Sequence, residues 1–131
     1  MDYTPWTACL LDYNRSATEF TGDDVDRFSA LVCFDKPYQQ LLIYVPTIES
    51  AALNIYVQMD NSTGTAPLVL HHGQMVDTGG NGAWTTAAWT TTASTGAYYI
   101  SCPLNGHQFF RIYTSQNQTA DRTFYVRGVN P

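Results

Sequence analysis

Three histidines, eleven carboxylates and three cysteines are the groups in this chain that could do chemistry. His71 and His72 are adjacent, and neighbours on a strand point to opposite faces, so the two imidazoles cannot easily chelate one metal ion. A metal site would need His107 to approach one of them, with a carboxylate such as Asp77 completing it. Surface or satisfied histidines are the plainer expectation. Asp60-Asn61-Ser62-Thr63-Gly64 is faintly like a calcium loop, but it lacks the alternating acids and the distal Glu. It reads instead as a turn in which Asp60 can close an Asx-turn. Nucleophilic catalysis would require Ser or Cys beside His and a carboxylate, and no G-x-S-x-G elbow is present. Paired carboxylates flanking a cleft would suit glycoside hydrolysis. The acids instead crowd the N-terminus, leaving Glu49, Asp60, Asp77 and Asp121 for the rest of the chain. Gly79, Gly80 and Gly82 form a loose glycine loop with no strand-to-helix context for phosphate. No catalytic residue, cofactor or metal ligand is therefore expected, and the chain does not read as an enzyme.

Binding chemistry has more candidates. Trp84 and Trp89, with Tyr98 and Tyr99, could form an aromatic platform for sugar rings. The plainer expectation is that some of these rings are core and the others lie in a contact between subunits. Asp121-Arg122 and Arg111 and Arg127, on adjacent strands near the C-terminal end, could form weak cross-strand ion pairs. At an interface the arginines would act as anchors.

The elements that must position these groups are strands. Leu53, Ile55, Val57 and Met59 alternate with Asn54, Tyr56 and Gln58, the period-two pattern of a half-buried strand. Leu41 to Val45 is another strand, stopped by Pro46. Phe28 to Phe34, Leu68 to His72, Trp84 to Thr92, Ala97 to Cys102, Gln108 to Ser115 and Thr123 to Arg127 complete about eight strands. Turn formers separate them at roughly 8–12-residue spacing, the mark of an all-β sandwich or barrel. Residues 1–27 lack clean periodicity and read as an arm anchored by Trp6, Tyr13 and Phe20. Residues 28–131 read as the β-sandwich domain.

A chain of 131 residues is one domain by length. Charged residues are 13%, against a usual share of about 25%. The net charge of −5 is unevenly placed: residues 1–35 hold seven acids against Arg15 and Arg27, while the four acids and four bases of 36–131 cancel. An acidic leader suits a segment lying on a basic partner surface. Nucleic acid is disfavoured as a partner, since no Lys/Arg run exists. Cys9, Cys33 and Cys102 have no CxxC spacing, so neither a disulfide framework nor a zinc site is expected. Cys33 and Cys102, inside apolar strands, are expected to be buried thiols. Neither a signal peptide nor a membrane span is visible, which points to folding in a reducing cytosol.

Leu41-Leu42-Ile43-Tyr44-Val45-Pro46 leading into Leu53-Asn54-Ile55-Tyr56-Val57-Gln58-Met59-Asp60, then Phe110-Arg111-Ile112-Tyr113-Thr114-Ser115 and Thr119-Ala120-Asp121-Arg122-Thr123-Phe124-Tyr125-Val126-Arg127-Gly128, resembles small β-sandwich virion proteins of tailed bacteriophages. The resemblance covers about residues 40–128. Where those proteins carry an Asp-Gly-Gly-Thr hairpin followed by an aromatic, this chain has Asp60-Asn61-Ser62-Thr63-Gly64, so its loops are reshaped. The resemblance implies a single antiparallel, jelly-roll-like β-sandwich in the virion, made in the host bacterial cytoplasm. It also implies a structural role as a capsid decoration or cement protein bound to the major capsid protein or other virion proteins. A homo-oligomer is expected, with a trimer favoured. A tail, neck or fibre-attachment subunit is one alternative and a carbohydrate-binding β-sandwich module another.

Overall fold

The computed structural model describes residues 2–12, 25–65, 67–69, 71–78, 81–88, 91 and 95–131. Among them are the strands β1 (Asp2–Tyr3), β2 (Thr7–Leu11), β3 (Val32–Cys33), β4 (Gln40–Val45), β5 (Leu53–Gln58), β6 (Leu68–Val69), β7 (His71–Thr78), β8 (Asn81–Ala88), β9 (Tyr98–Pro103), β10 (Phe109–Thr114) and β11 (Arg122–Asn130), with a 3-10 turn at Val25–Arg27. One sheet runs β1-β11-β4-β9, with β2 also paired to β11, and a second runs β3-β10-β5-β6. Every ladder is antiparallel. The pairings are nested: β2 with β11, β3 with β10, β4 with β9 and β5 with β6. A long hairpin folded into two layers in this way is the eight-stranded jelly roll. The expected all-β antiparallel sandwich is therefore the observed architecture. The closing strands β10 and β11, consecutive in sequence, lie in opposite sheets.

Alternation explains which faces meet. Leu41, Ile43 and Val45 of β4 and Phe124 and Val126 of β11 point inward from the five-stranded sheet. Leu53, Ile55 and Val57 of β5 and Phe110 and Ile112 of β10 point inward from the four-stranded one. Each such side chain contributes about 1.5–3 kcal/mol when fully buried. Met59 was expected to continue the β5 face, yet it is 96% exposed. Gln58, on the outer side of the strand, is buried under the following turn instead, and its Nε2 donates to the carbonyls of Asp60 (2.8 Å) and Ser62 (2.7 Å). That tie ends the alternation one residue early.

Asp2–Tyr3 and Thr7–Leu11, expected within an arm that packs along the body or on a neighbour, pair with β11 as strands of the sandwich. Cys9 and Leu11 are buried in the common core, so the sheet continues across the expected boundary at residue 27. Tyr13 and Phe20 lie outside the described residues. The cysteines also sort differently from expectation: Cys9 and Cys102 are buried and Cys33 is exposed. On β3 the inward position belongs to Val32, and Cys33 necessarily faces out. Burial pushes the Cys9 thiol up to about 11 and the Cys102 thiol up to about 12.

Two details hold the ends of the sandwich together. Gly128 sits where a Cβ would lie 2.7 Å and 2.9 Å from ring carbons of Tyr38 and 3.1 Å from Phe34. A glycine inside a strand often marks such a close approach. The loop after β4 is tied to the loop before β11 by Gln118. Its Oε1 accepts from the Glu49 N–H at 2.9 Å and from Arg122 Nε at 3.1 Å, and its Nε2 donates to the Glu49 carbonyl at 3.1 Å. Arg122 also meets the Glu49 carboxylate at 3.3 Å, and Thr119 Oγ1 donates to it at 2.7 Å.

Candidate functional site

The outer face of the five-stranded sheet is built by the residues that alternate with its core positions. On β11 these include Thr123, Tyr125 and Arg127, on β4 Leu42 and Tyr44, and on β9 Tyr99 and Ser101. The register sets Tyr125 opposite Tyr44 and Tyr44 opposite Tyr99. Three tyrosines thus form one row across three strands. Tyr44 and Tyr99 stack at 4.7 Å with 20° between planes, and Tyr44 and Tyr125 at 6.0 Å with 23°. The closer separation is the ordinary spacing between strands, about 4.7–4.9 Å, so the rings stand up side by side from the sheet. Both faces of Tyr44 are flanked, leaving ring edges toward solvent.

Trp6 reaches this row through an irregularity in the edge strand. Tyr3 pairs with Val129 and Thr7 with Val126, so four steps on the edge oppose three on β11. The extra residue is a β-bulge, a device that re-aims side chains. Within it the Thr4 N–H donates to the Gly128 carbonyl and the Gly128 N–H to Thr4 Oγ1, both at 3.0 Å. Pro5, with no N–H to offer, occupies the bulge without leaving a donor unmet. Trp6 then lies 6.5 Å from Tyr99, tilted by 60°. Trp6, Tyr44, Tyr99 and Tyr125 line a hollow of ≈ 390 Å³.

Arg127 completes the face. Its guanidinium lies 4.7 Å from the Tyr3 ring and 4.9 Å from the Trp6 ring. Such contacts hold a cation by about 0.5–1 kcal/mol each at exposed sites. Arg127 Nε is buried and meets no acceptor among the described residues. Among the described residues, five of the seven large exposed hydrophobic side chains, Tyr3, Trp6, Leu10, Tyr99 and Tyr125, belong to this face or its edge strand. The remaining two, Met59 and Leu68, border a groove beside His107 at one end of the four-stranded sheet.

The other sheet is different. Arg111 points to its outer side yet is 1% exposed. The chain between Phe28 and Val32 folds over it: Phe28 bridges Tyr113 and Val32 pairs with Phe110, again four steps against three. Arg111 donates to the Ser29 carbonyl at 3.1 Å and the Thr63 carbonyl at 3.3 Å. Phe28, Tyr56 and Tyr113 form a small aromatic cluster beside it. Arg111 and Arg122, named from the sequence as interface candidates, are thus buried within the chain. Alternation placed Arg111 on the outward side correctly but could not reveal the segment that covers it.

Of the other candidates, Trp6 and Arg127 are brought together. Trp84 lies on β8 opposite Met75, and Trp89 is outside the described residues. His71, His72 and Asp77 are distributed along β7, opposite Ala88, Ala87 and Gly82. His107 lies in the turn before β10. Among the described residues no group of three or more His, Cys, Asp or Glu could hold a metal ion. Asp60 Oδ1 accepts from the Ser62 N–H at 3.1 Å and from Thr65 Oγ1 at 2.9 Å, which makes that segment a tied turn.

Sequence reasoning missed Tyr3, Tyr44 and Tyr125 as site residues. The usable signal was tyrosine at outward positions of alternating strands, but joining them required the strand order.

Comparisons with protein-family models, with curated proteins and with solved structures find no match in any of the three.

Proposed function

We propose that this chain is a structural subunit of a bacteriophage virion, a capsid decoration or cement protein that adheres to the major capsid protein through the outer face of its five-stranded sheet. The observation that carries this reading is the outward Tyr125–Tyr44–Tyr99 row, exposed at Tyr125 and Tyr99, with Trp6 and Arg127 beside it. Tyr, Trp and Arg are the side chains enriched at the energetic centres of protein interfaces. The jelly roll is an architecture that viral capsid and lectin domains share, so by itself it leaves the job open. The resemblance over residues 40–128 supports the virion side. The mechanism is adhesive: many copies, each contributing a modest contact, together resist expansion of the shell. A homotrimer on the shell is the favoured arrangement.

The test is particle stability. Phage particles from the source host, with and without the protein, are compared under heat and osmotic shock. The proposal expects the depleted particles to fail first and to be rescued by added protein. Equal survival, or failure of the protein to bind particles, would count decisively against it. Copy number separates the neighbouring reading: hundreds of copies mean shell, six or twelve mean tail, neck or fibre attachment.

A carbohydrate-binding role takes its support from the same aromatic side chains. Sugar rings lie on open aromatic faces, whereas the faces of Tyr44 are occupied by Tyr99 and Tyr125. That stacking favours a protein neighbour. A glycan array probed with the chain and its Tyr99→Ala variant decides between them.

A further inference from the structure

We infer that Arg127 is a carboxylate receptor: the protein neighbour seats an Asp or Glu side chain on the guanidinium held between Tyr3 and Trp6. This rests on the reading that the outer face meets a protein.

The described bases other than Arg127 have partners inside the chain. Arg27 Nε donates to Asn117 at 2.8 Å, Arg111 to two carbonyls, and Arg122 to Gln118 and Glu49. Lys36 pairs with Asp2. Arg127 is held instead by two rings, with Nε buried and unmet. A guanidinium has five N–H donors in a fixed fork. Two ring contacts restrain the direction of the fork, so less freedom is lost when a ligand binds. Because Nε is covered, the ligand meets the outer Nη end.

Charge complementarity names the ligand. The outward residues of β11, β4 and β9 include Thr123, Tyr125, Arg127, Gln40, Leu42, Tyr44, Tyr99 and Ser101, with Arg127 the sole ionised group among them. A lone, positioned cation in an aromatic surround selects an anion that can take two parallel N–H bonds, and a carboxylate has that geometry. On a protein neighbour the carboxylate is an Asp or Glu side chain.

The experiment uses the full chain labelled with ¹⁵N-arginine, with the Arg127 side-chain signal assigned against Arg127→Lys. Three probes are titrated: an end-capped Ala-Tyr-Glu-Tyr-Ala peptide, its Gln counterpart, and glucuronic acid. The inference expects the Glu peptide to move the Arg127 signal saturably, about tenfold more tightly than the Gln peptide, as a charge-assisted bidentate pair requires. Arg127→Lys, which keeps the charge and loses the fork, should weaken the Glu peptide toward the Gln value. Equal binding of the two peptides, or no movement of the Arg127 signal, overturns the inference. So does glucuronic acid binding as well as the Glu peptide, which would assign the clamp to acidic glycans. The peptide comparison uses the unaltered chain, so it stands even if the variant misfolds. Failure of the wider reading looks different: the Glu peptide binds and the particle does not.

Discussion

Replacing Gly128 with alanine tests whether the packing that presents the aromatic face is as tight as described. The added Cβ would lie 2.7 Å and 2.9 Å from Tyr38 ring carbons and 3.1 Å from Phe34. Both rings are buried, and Tyr38 is pinned further by its hydroxyl, which donates to Asp35 at 3.0 Å. Neither neighbour is the loose end of a flexible chain, so the strand or the rings must shift. Overpacking of this kind costs about 1–3 kcal/mol. With about 4 °C lost per kcal/mol for a domain of this size, the melting temperature should fall by about 4–12 °C. The assay is thermal unfolding by circular dichroism, paired with Trp fluorescence, because Gly128 also holds Thr4 and hence the bulge that carries Trp6. Shaving the opposing ring should relieve the clash, so Gly128→Ala should cost less in a Tyr38→Leu background than alone. Unchanged melting in Gly128→Ala, or equal losses in both backgrounds, would refute the close packing.

Gln118→Ala removes the side chain joining the loops at Glu49 and Arg122, and the polar groups left behind should cost about 1–3 kcal/mol in urea unfolding; a change under half that would show that water replaces it. The thiols give a pH prediction. Their folded values, about 11 for Cys9 and about 12 for Cys102, lie above the ordinary 9.0. Their contribution is therefore complete below the unfolded value and is lost as pH rises through it. Between about pH 8 and about pH 9.5 the loss is on the order of 1 kcal/mol per thiol, and Cys102→Ala should remove half of it; a flat urea midpoint would contradict the burial. In the native state a thiol reagent should label the exposed Cys33 fast and the other two only after unfolding.

The core of this fold was legible where alternation was undisturbed. Leu41, Ile43 and Val45, and Leu53, Ile55 and Val57, announce their strands and their inward faces through period two. The nested pairing was not legible, because short-range pattern carries no strand order. The first strand was hidden by Pro5 and the bulge, which break alternation where Trp6 is turned outward. Arg111 misled for a related reason: its outward phase is real, but a second bulge folds Ser29 across it. Of the site, Trp6, Tyr99 and Arg127 could be named in advance. The tyrosine row could not, since Tyr44, Tyr99 and Tyr125 are far apart in sequence and become neighbours through register alone.

The most direct measurement is a cryo-EM reconstruction of the source particle, with the jelly roll fitted into its map. The proposed role predicts many symmetry-related copies on the shell, each with Tyr44, Tyr99, Tyr125 and Trp6 turned against a protein neighbour. A particle without this chain, or one in which that face looks into open solvent, would contradict it.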